Sequence, residues 1–194
     1  MQDSRARGRR TLLIVAALFL VPVAVAFTLY YGKLWHPANS SSKGELINPA
    51  RPLVVAGLRH SDGTPAGPEV LSGKWTLIYI GDGRCDEACR NALVFGRQSR
   101  LALNNEMTRV QRVFLATGNC CDTDYFAREQ AGLVAFDASS PEAAALLAQF
   151  PVEREHTLFI VDPLGNLMMR HDASHTTKDL LSDLKKLLKL SHIG

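Results

Sequence analysis

Four cysteines fall into two pairs, Cys85 with Cys89 and Cys120 with Cys121. Paired thiols do two kinds of chemistry, ligation of a soft metal ion and reversible disulfide exchange. The first pair is the better placed. Trp75-Thr-Leu-Ile-Tyr-Ile80 is an apolar β-type run, Gly81-Asp82-Gly83 is a glycine turn, and Cys85-Asp86-Glu87-Ala88-Cys89 opens a helical pattern. Spacing i, i+4 puts both sulfurs on one helix face, with Cα atoms roughly 6 Å apart and within bridging range. A thiol at a helix N-terminus feels the positive end of the macrodipole, which favours thiolate. If the pair is redox-active, Cys85, nearer the helix end, is the expected nucleophile and Cys89 the resolving thiol. Two thiolates equally suit Cu(I). The bland alternatives are a structural disulfide and two small buried hydrophobes.

Cys120-Cys121 is open to more readings: a resolving pair, extra thiolate ligands, a disulfide partner for the first pair, or ordinary loop cysteines. His171 and His175 also stand four apart, but Asp172-Ala173-Ser174 reads as loop, which argues against a zinc pair.

The chain's address sharpens the cysteine argument. Thr11 to Tyr31 carries no charge over 21 residues, long enough to cross a bilayer as a helix. Arg5, Arg7, Arg9 and Arg10 precede it, and Tyr30, Tyr31 and Trp35 fit an aromatic belt. By the positive-inside rule the N-terminus stays in the cytoplasm. The expected location is thus the inner (plasma) membrane, single-pass, with the C-terminal domain in the periplasm. Ala24-Val25-Ala26 offers a rival reading as a signal-peptide cleavage site, but the apolar run continues past it. An exported compartment is oxidising, so cysteines there are used as pairs. The net charge of +3 has its source in residues 1–10, and the rest of the chain is formally neutral. A nucleic-acid interface, which needs a basic stripe, is excluded.

The expected organisation is a basic tail over 1–10, a transmembrane anchor over 11–31, a flexible linker over 32–52 and one domain over 53–194. The linker rests on Pro37, Ser40-Ser41-Ser42, Pro49 and Pro52. Within the domain, strands are expected at Leu53–Leu58, Trp75–Ile80, Arg109–Thr117, Thr157–Val161 and Leu167–Arg170. Helices are expected at Asp86 to about Glu106, Tyr125–Gln130, Pro141–Phe150 and Lys178–Leu190. Ser140 and Thr176 read as N-caps, the latter with Asp179 in a capping box. The order β, then β-α-β-α, then β-β-α, with cysteines at a strand-to-helix corner, predicts an α/β thioredoxin-like fold. Ligands in such sheets gather at the carboxyl ends of the parallel strands.

Three segments carry a family resemblance. Leu71-Ser-Gly-Lys-Trp-Thr-Leu-Ile-Tyr-Ile-Gly81 with the Cys-x-x-x-Cys that follows, Leu58-Arg-His-Ser-Asp62-Gly63, and Glu155-His156-Thr157-Leu-Phe-Ile-Val-Asp-Pro-Leu-Gly165 together resemble the Sco/SenC family. These are membrane-anchored, thioredoxin-like copper chaperones of cytochrome c oxidase assembly. The resemblance implies one copper site, Cu(I) or Cu(II), held by Cys85, Cys89 and His156, with His156 facing the cysteine corner from just before a core strand. An added imidazole makes Cu(II) tolerable. It also implies a copper acceptor as partner, a membrane-embedded oxidase subunit or another copper protein. The sequence departs from the family at the prolines that usually flank the cysteines, replaced here by Asp86 and Arg90. It is identified as a divergent member, with a periplasmic thiol–disulfide oxidoreductase as the alternative.

Overall fold

A computed structural model describes residues 2–32, 42–151, 157–172, 175–191 and 193. The chain divides into two units, Met1–Ser41 and Ser42–Gly194.

The first unit is one helix, α1 (Gln2–Tyr31). Its stretch Gly8–Leu29 has a mean hydropathy of 2.8 and is long and apolar enough to cross a membrane. Pro22 lies inside it, a position that membrane helices tolerate better than soluble ones.

The second unit has a six-stranded mixed sheet in the order β1-β6-β5-β2-β3-β4. The strands are β1 (Glu45–Pro52), β2 (Trp75–Gly81), β3 (Val110–Ala116), β4 (Leu133–Asp137), β5 (Leu158–Val161) and β6 (Asn166–His171). β2, β3 and β4 run parallel; β5 is antiparallel to β2, β6 to β5, and β1 to β6. The central strands are largely apolar because each feeds two cores; Thr76 and Arg112 are the buried polar exceptions in β2 and β3. Leu77, Tyr79, Phe114, Leu158 and Ile160 point to one face, where Leu93 of α2 (Glu87–Leu101) and Leu180, Leu184 and Leu188 of α5 (Thr177–Leu190) cover them. Ile78, Ile80, Val113, Leu115 and Phe159 point to the other, covered by Ala143 and Leu146 of α4 (Pro141–Leu147). The period of two along a strand makes this division. α2 is the crossover between parallel β2 and β3, and a short α3 (Thr123–Glu129) connects β3 to β4. The predicted thioredoxin-like α/β fold is the observed one.

Several expected boundaries differ. The stretch read as linker contains β1, an edge strand; its Pro49 and Pro52 suggested a tether, yet proline is tolerated at a sheet edge. Leu53–Leu58 is not a strand but a connector, joined to the sheet by the isolated bridge of Arg59 with Asp137. β4 was not expected. Its five residues form an outer strand paired with β3 along its length and met on its other side at Asp137, by Arg59, too short for a clear periodicity. α2 stops at Leu101 rather than near Glu106, with a 3-10 turn over Asn104–Arg109; Asn104 has φ 53°, a left-handed residue that a helix interior does not accommodate. α4 likewise ends at Leu147, short of Phe150. The caps came out as expected. Ser140 Oγ accepts from Ala143 N–H, and Thr176 with Asp179 forms a complete capping box.

Candidate functional site

Cys85 and Cys89 are joined by a disulfide, with Cα atoms 5.1 Å apart. The helix begins at Glu87, one residue after the expected start at Asp86. Asp86 is the N-cap, its Oδ1 accepting from the N–H of Cys89 at 2.9 Å. Cys85 precedes the cap with φ 48° and its N–H donates to the Asp82 carbonyl at 3.0 Å. The reason is local: aspartate is a strong N-cap former, and capping ends the helix at its own position. The cap also alters the electrostatics inferred from the sequence. Asp86 and Glu87 put negative charge at this helix end, which opposes a thiolate there as the macrodipole favours it. A cation offsets them from the side: Arg90 Nε donates to the Cys85 carbonyl at 3.0 Å and its guanidinium stacks 4.5 Å over the Tyr125 ring.

Both cysteines are buried, at 1% and 4% exposure, and border a cleft of about 910 Å³. Among the described residues its walls include Tyr79, Gly81, Asp82 and Thr117 on the sheet side and Ala144, Leu147 and Ala148 on the α4 side. Behind Tyr79 the core is aromatic. Tyr79 stacks on Phe114 at 5.7 Å between ring centroids, and Phe114 packs on Phe126 at 5.1 Å.

Cys120 and Cys121 form a second disulfide, between neighbours in sequence. Of the readings open for this pair, a bond to the first pair is absent. The loop carrying it nevertheless lies directly against the first. Gly83 N–H donates to the Gly118 carbonyl at 2.8 Å and Asp122 N–H to the Gly83 carbonyl at 3.0 Å. Asn119 Nδ2 donates to Asp82 Oδ2 at 2.6 Å. The Arg84 N–H and this amide hold the Asp82 carboxyl below the usual carboxylate range, since both stabilise its charged form. A Cβ on Gly83 would meet the Asn119 carbonyl and lie 2.7 Å from Cys120 Cα. Cys120 and Cys121 are half-buried and pack on the same core cluster as Cys85 and Cys89.

His156, the third ligand implied by the resemblance, lies outside the described residues. β5 begins at Leu158, opposite Tyr79 of β2. The two-sulfur donor set fits a soft monovalent ion, and only when reduced, because the disulfide and a metal compete for the same sulfur lone pairs. Among the described residues no group of three or more His, Cys, Asp and Glu could hold a metal. His171 and His175 do touch, with ring centroids 4.9 Å apart. However, His171 is fully buried beside Asp183, and His175 bonds Asp172 and the Lys43 carbonyl, so both have structural roles. Asp82, Arg90, Asn119 and Tyr125 were not foreseen. The legible signals were Gly83 in the turn and the i, i+5 offset of Arg90 from Cys85; the rest depends on loops meeting across the sheet end.

Residues 75–191 match the family described as transmembrane-like, thioredoxin-like, C-terminal domain. No curated protein sequence matches the chain. Among solved structures it is similar to apo Sco1 of Thermus thermophilus, at 20% identity and TM-score 0.63 over 78% of this chain and 99% of that one. It is also similar to copper-bound yeast Sco1, at 15% identity and TM-score 0.62 over 79% and 96%. The thioredoxin domain of a thiol–disulfide oxidoreductase from Bacteroides vulgatus aligns at 14% identity and TM-score 0.53 over 71% and 96%. At these identities the likeness concerns the fold.

Proposed function

This chain belongs to the transmembrane-like, thioredoxin-like C-terminal domain family, and on that premise we propose that it is a membrane-tethered copper-handling protein. Its Cys85/Cys89 pair would cycle between a disulfide and a dithiol that holds Cu(I) as cargo. The observation that carries the reading is the closed Cys85–Cys89 bond on the wall of the cleft. Reduction supplies two electrons and two protons and opens the bond into two thiols. As thiolates these are linear, soft donors for Cu(I). His156 completes the site when the ion is Cu(II). Transfer proceeds by ligand exchange to a membrane-embedded oxidase subunit or another copper acceptor. The α1 anchor, inserted in the inner membrane with the domain on the periplasmic side, keeps donor and acceptor in one plane.

Anaerobic Cu(I) titration of the reduced, detergent-solubilised full chain tests this. About one tightly bound ion with Cu–S scattering in X-ray absorption is expected, because thiolates are the soft ligands available and Cys85 and Cys89 share the corner. Absence of sulfur scattering sinks the reading. Cys85→Ser and Cys89→Ser should each abolish binding, and the Cys120→Ser/Cys121→Ser double variant should keep most of it.

A second reading is a thiol–disulfide oxidoreductase, favoured by the burial of the bonded pair beside a second disulfide. Cys85 would then be the nucleophile and Cys89 the resolving thiol, because Cys85 stands just outside the helix N-terminus. Disulfide-reductase activity without copper binding selects this reading.

A further inference from the structure

The second disulfide is unused by the proposed function, yet it is built onto the first. Three hydrogen bonds join the two loops: Gly83 to Gly118, Asp122 to Gly83, and Asn119 to Asp82. The approach at Gly83 leaves no room for a side chain between them. The pairs also differ in access. Cys85 and Cys89 are buried, whereas Cys120 and Cys121 are half-buried. A large reductant, such as a folded protein dithiol, meets the outer pair more readily than the inner one.

We propose that Cys120–Cys121 is the entry point for reducing equivalents and relays them to Cys85–Cys89. The inference rests on the reading that the inner pair cycles. In the first step a thiolate of an exported protein dithiol attacks the Cys120–Cys121 bond. Its second thiol resolves the mixed disulfide; the donor leaves oxidised and Cys120 and Cys121 become two thiols. In the second step one of these, as thiolate, attacks a sulfur of Cys85–Cys89. That bond breaks, a mixed disulfide forms between the loops, and the released sulfur takes up a proton. The remaining outer thiolate then attacks the mixed disulfide, re-forming Cys120–Cys121 and freeing the second inner thiol. Two electrons and two protons pass inward, and the outer pair returns to its starting state. Asp82 and Asn119 are positioning residues, holding the loops in register.

The test measures reduction of Cys85–Cys89 in the full chain by two reductants, reduced thioredoxin and a small water-soluble phosphine, with thiol alkylation and peptide mass spectrometry as readout. In the Cys120→Ser/Cys121→Ser variant, reduction by thioredoxin should slow at least about tenfold, while reduction by the phosphine is unchanged. The paired single variants, with one cysteine left in each loop, should form an inter-loop disulfide on mild oxidation. Equal thioredoxin rates in wild type and double variant, or no inter-loop disulfide in any of the four pairings, overturns the relay and leaves the copper reading standing. An inner pair that resists both reductants in the wild-type chain overturns both.

Discussion

At the residue scale the corner depends on a few contacts that no pattern of hydrophobicity encodes. Arg90 bonds the Cys85 carbonyl, stacks on Tyr125 and lies 3.5 Å from Asp122 Oδ2. Arg90→Ala should cost about 1 to 2 kcal/mol in urea unfolding, the sum of a hydrogen bond and a partly exposed cation–π contact. The half-exposed ion pair adds little. Gly83→Ala should be worse than Arg90→Ala, because the colliding atoms are backbone of the neighbouring loop and cannot rotate away. Its unfolding midpoint measured against Gly132→Ala is informative. Gly132 has open space around it but φ +78°, so that variant carries only the conformational penalty of about 1 kcal/mol. If the two substitutions cost the same, the loops are not in contact. At His156, the proposed nitrogen ligand, alanine should weaken Cu(II) binding far more than Cu(I), since two thiolates hold the soft ion unaided. Equal losses for both ions would remove His156 from the site.

At the scale of elements, α5 has a second task besides covering the sheet. Asp183 on its inner face accepts the N–H groups of Lys43 at 2.7 Å and Gly44 at 2.8 Å through one oxygen, Oδ2. The carboxylate thus pins the start of the domain to the last helix. His171 of β6 lies beside it, Nε2 3.3 Å from Oδ2 but not aligned for a hydrogen bond. Asp183→Ala should cost roughly 2 kcal/mol or more, because buried donors lose their acceptor. The histidines give the domain opposing pH responses. Burial lowers the pKa of His171 from 6.5, a cost that attraction to Asp183 only partly offsets; Lys186 and His175 add positive charge nearby. Below pH 6.5 the unfolded chain therefore binds this proton first, and stability falls as pH drops toward the folded-state value. His175 has its pKa raised: partial burial opposes its charge, but bonds to the Lys43 carbonyl and Asp172 outweigh it. Its contribution is fully present below pH 6.5 and is lost as pH rises through the folded-state value. Urea midpoints from pH 7.5 to 5 should show wild type losing more stability than His171→Leu on acidification. A variant with the same pH slope as wild type refutes the assignment.

For the whole molecule, the two units impose different physics. α1 exposes Leu12, Leu13, Leu18, Phe19 and Phe27, a surface that water does not favour and a bilayer does. The chain should remain with membranes through alkaline carbonate washing, and a cysteine-reactive, membrane-impermeant probe should reach the domain only from the periplasmic side after reduction. Recovery of a soluble form starting at Phe27 would identify Ala24-Val25-Ala26 as a cleavage site instead. The domain itself should fold around the two cores flanking β2 and β3, with the edge strands β1 and β4 exchanging amide hydrogens sooner than β2.

What could be read from the sequence was local in origin. The unbroken apolar run at Trp75–Ile80 demanded a strand buried on both faces, the Thr176/Asp179 box demanded a helix start, and the uncharged run Thr11–Tyr31 demanded an apolar solvent. Each follows from interactions within a few residues of one another, where chain geometry leaves few choices. The position of Cys85 and Cys89 at the carboxyl end of a parallel strand followed from element order alone. The tertiary structure decided everything that joins distant segments. Asp82 meets Asn119 across 37 residues and Gly44 meets Asp183 across 139, and neither partner carries a sequence mark of the other. The same holds for β1, whose prolines signal a tether until β6 supplies a partner, and for Cys120–Cys121, whose place after a strand left several readings open until β3 delivers the pair against Gly83. Side-chain periodicity is encoded along the chain, whereas contact between two loops is created only when the sheet closes and brings their ends to one edge.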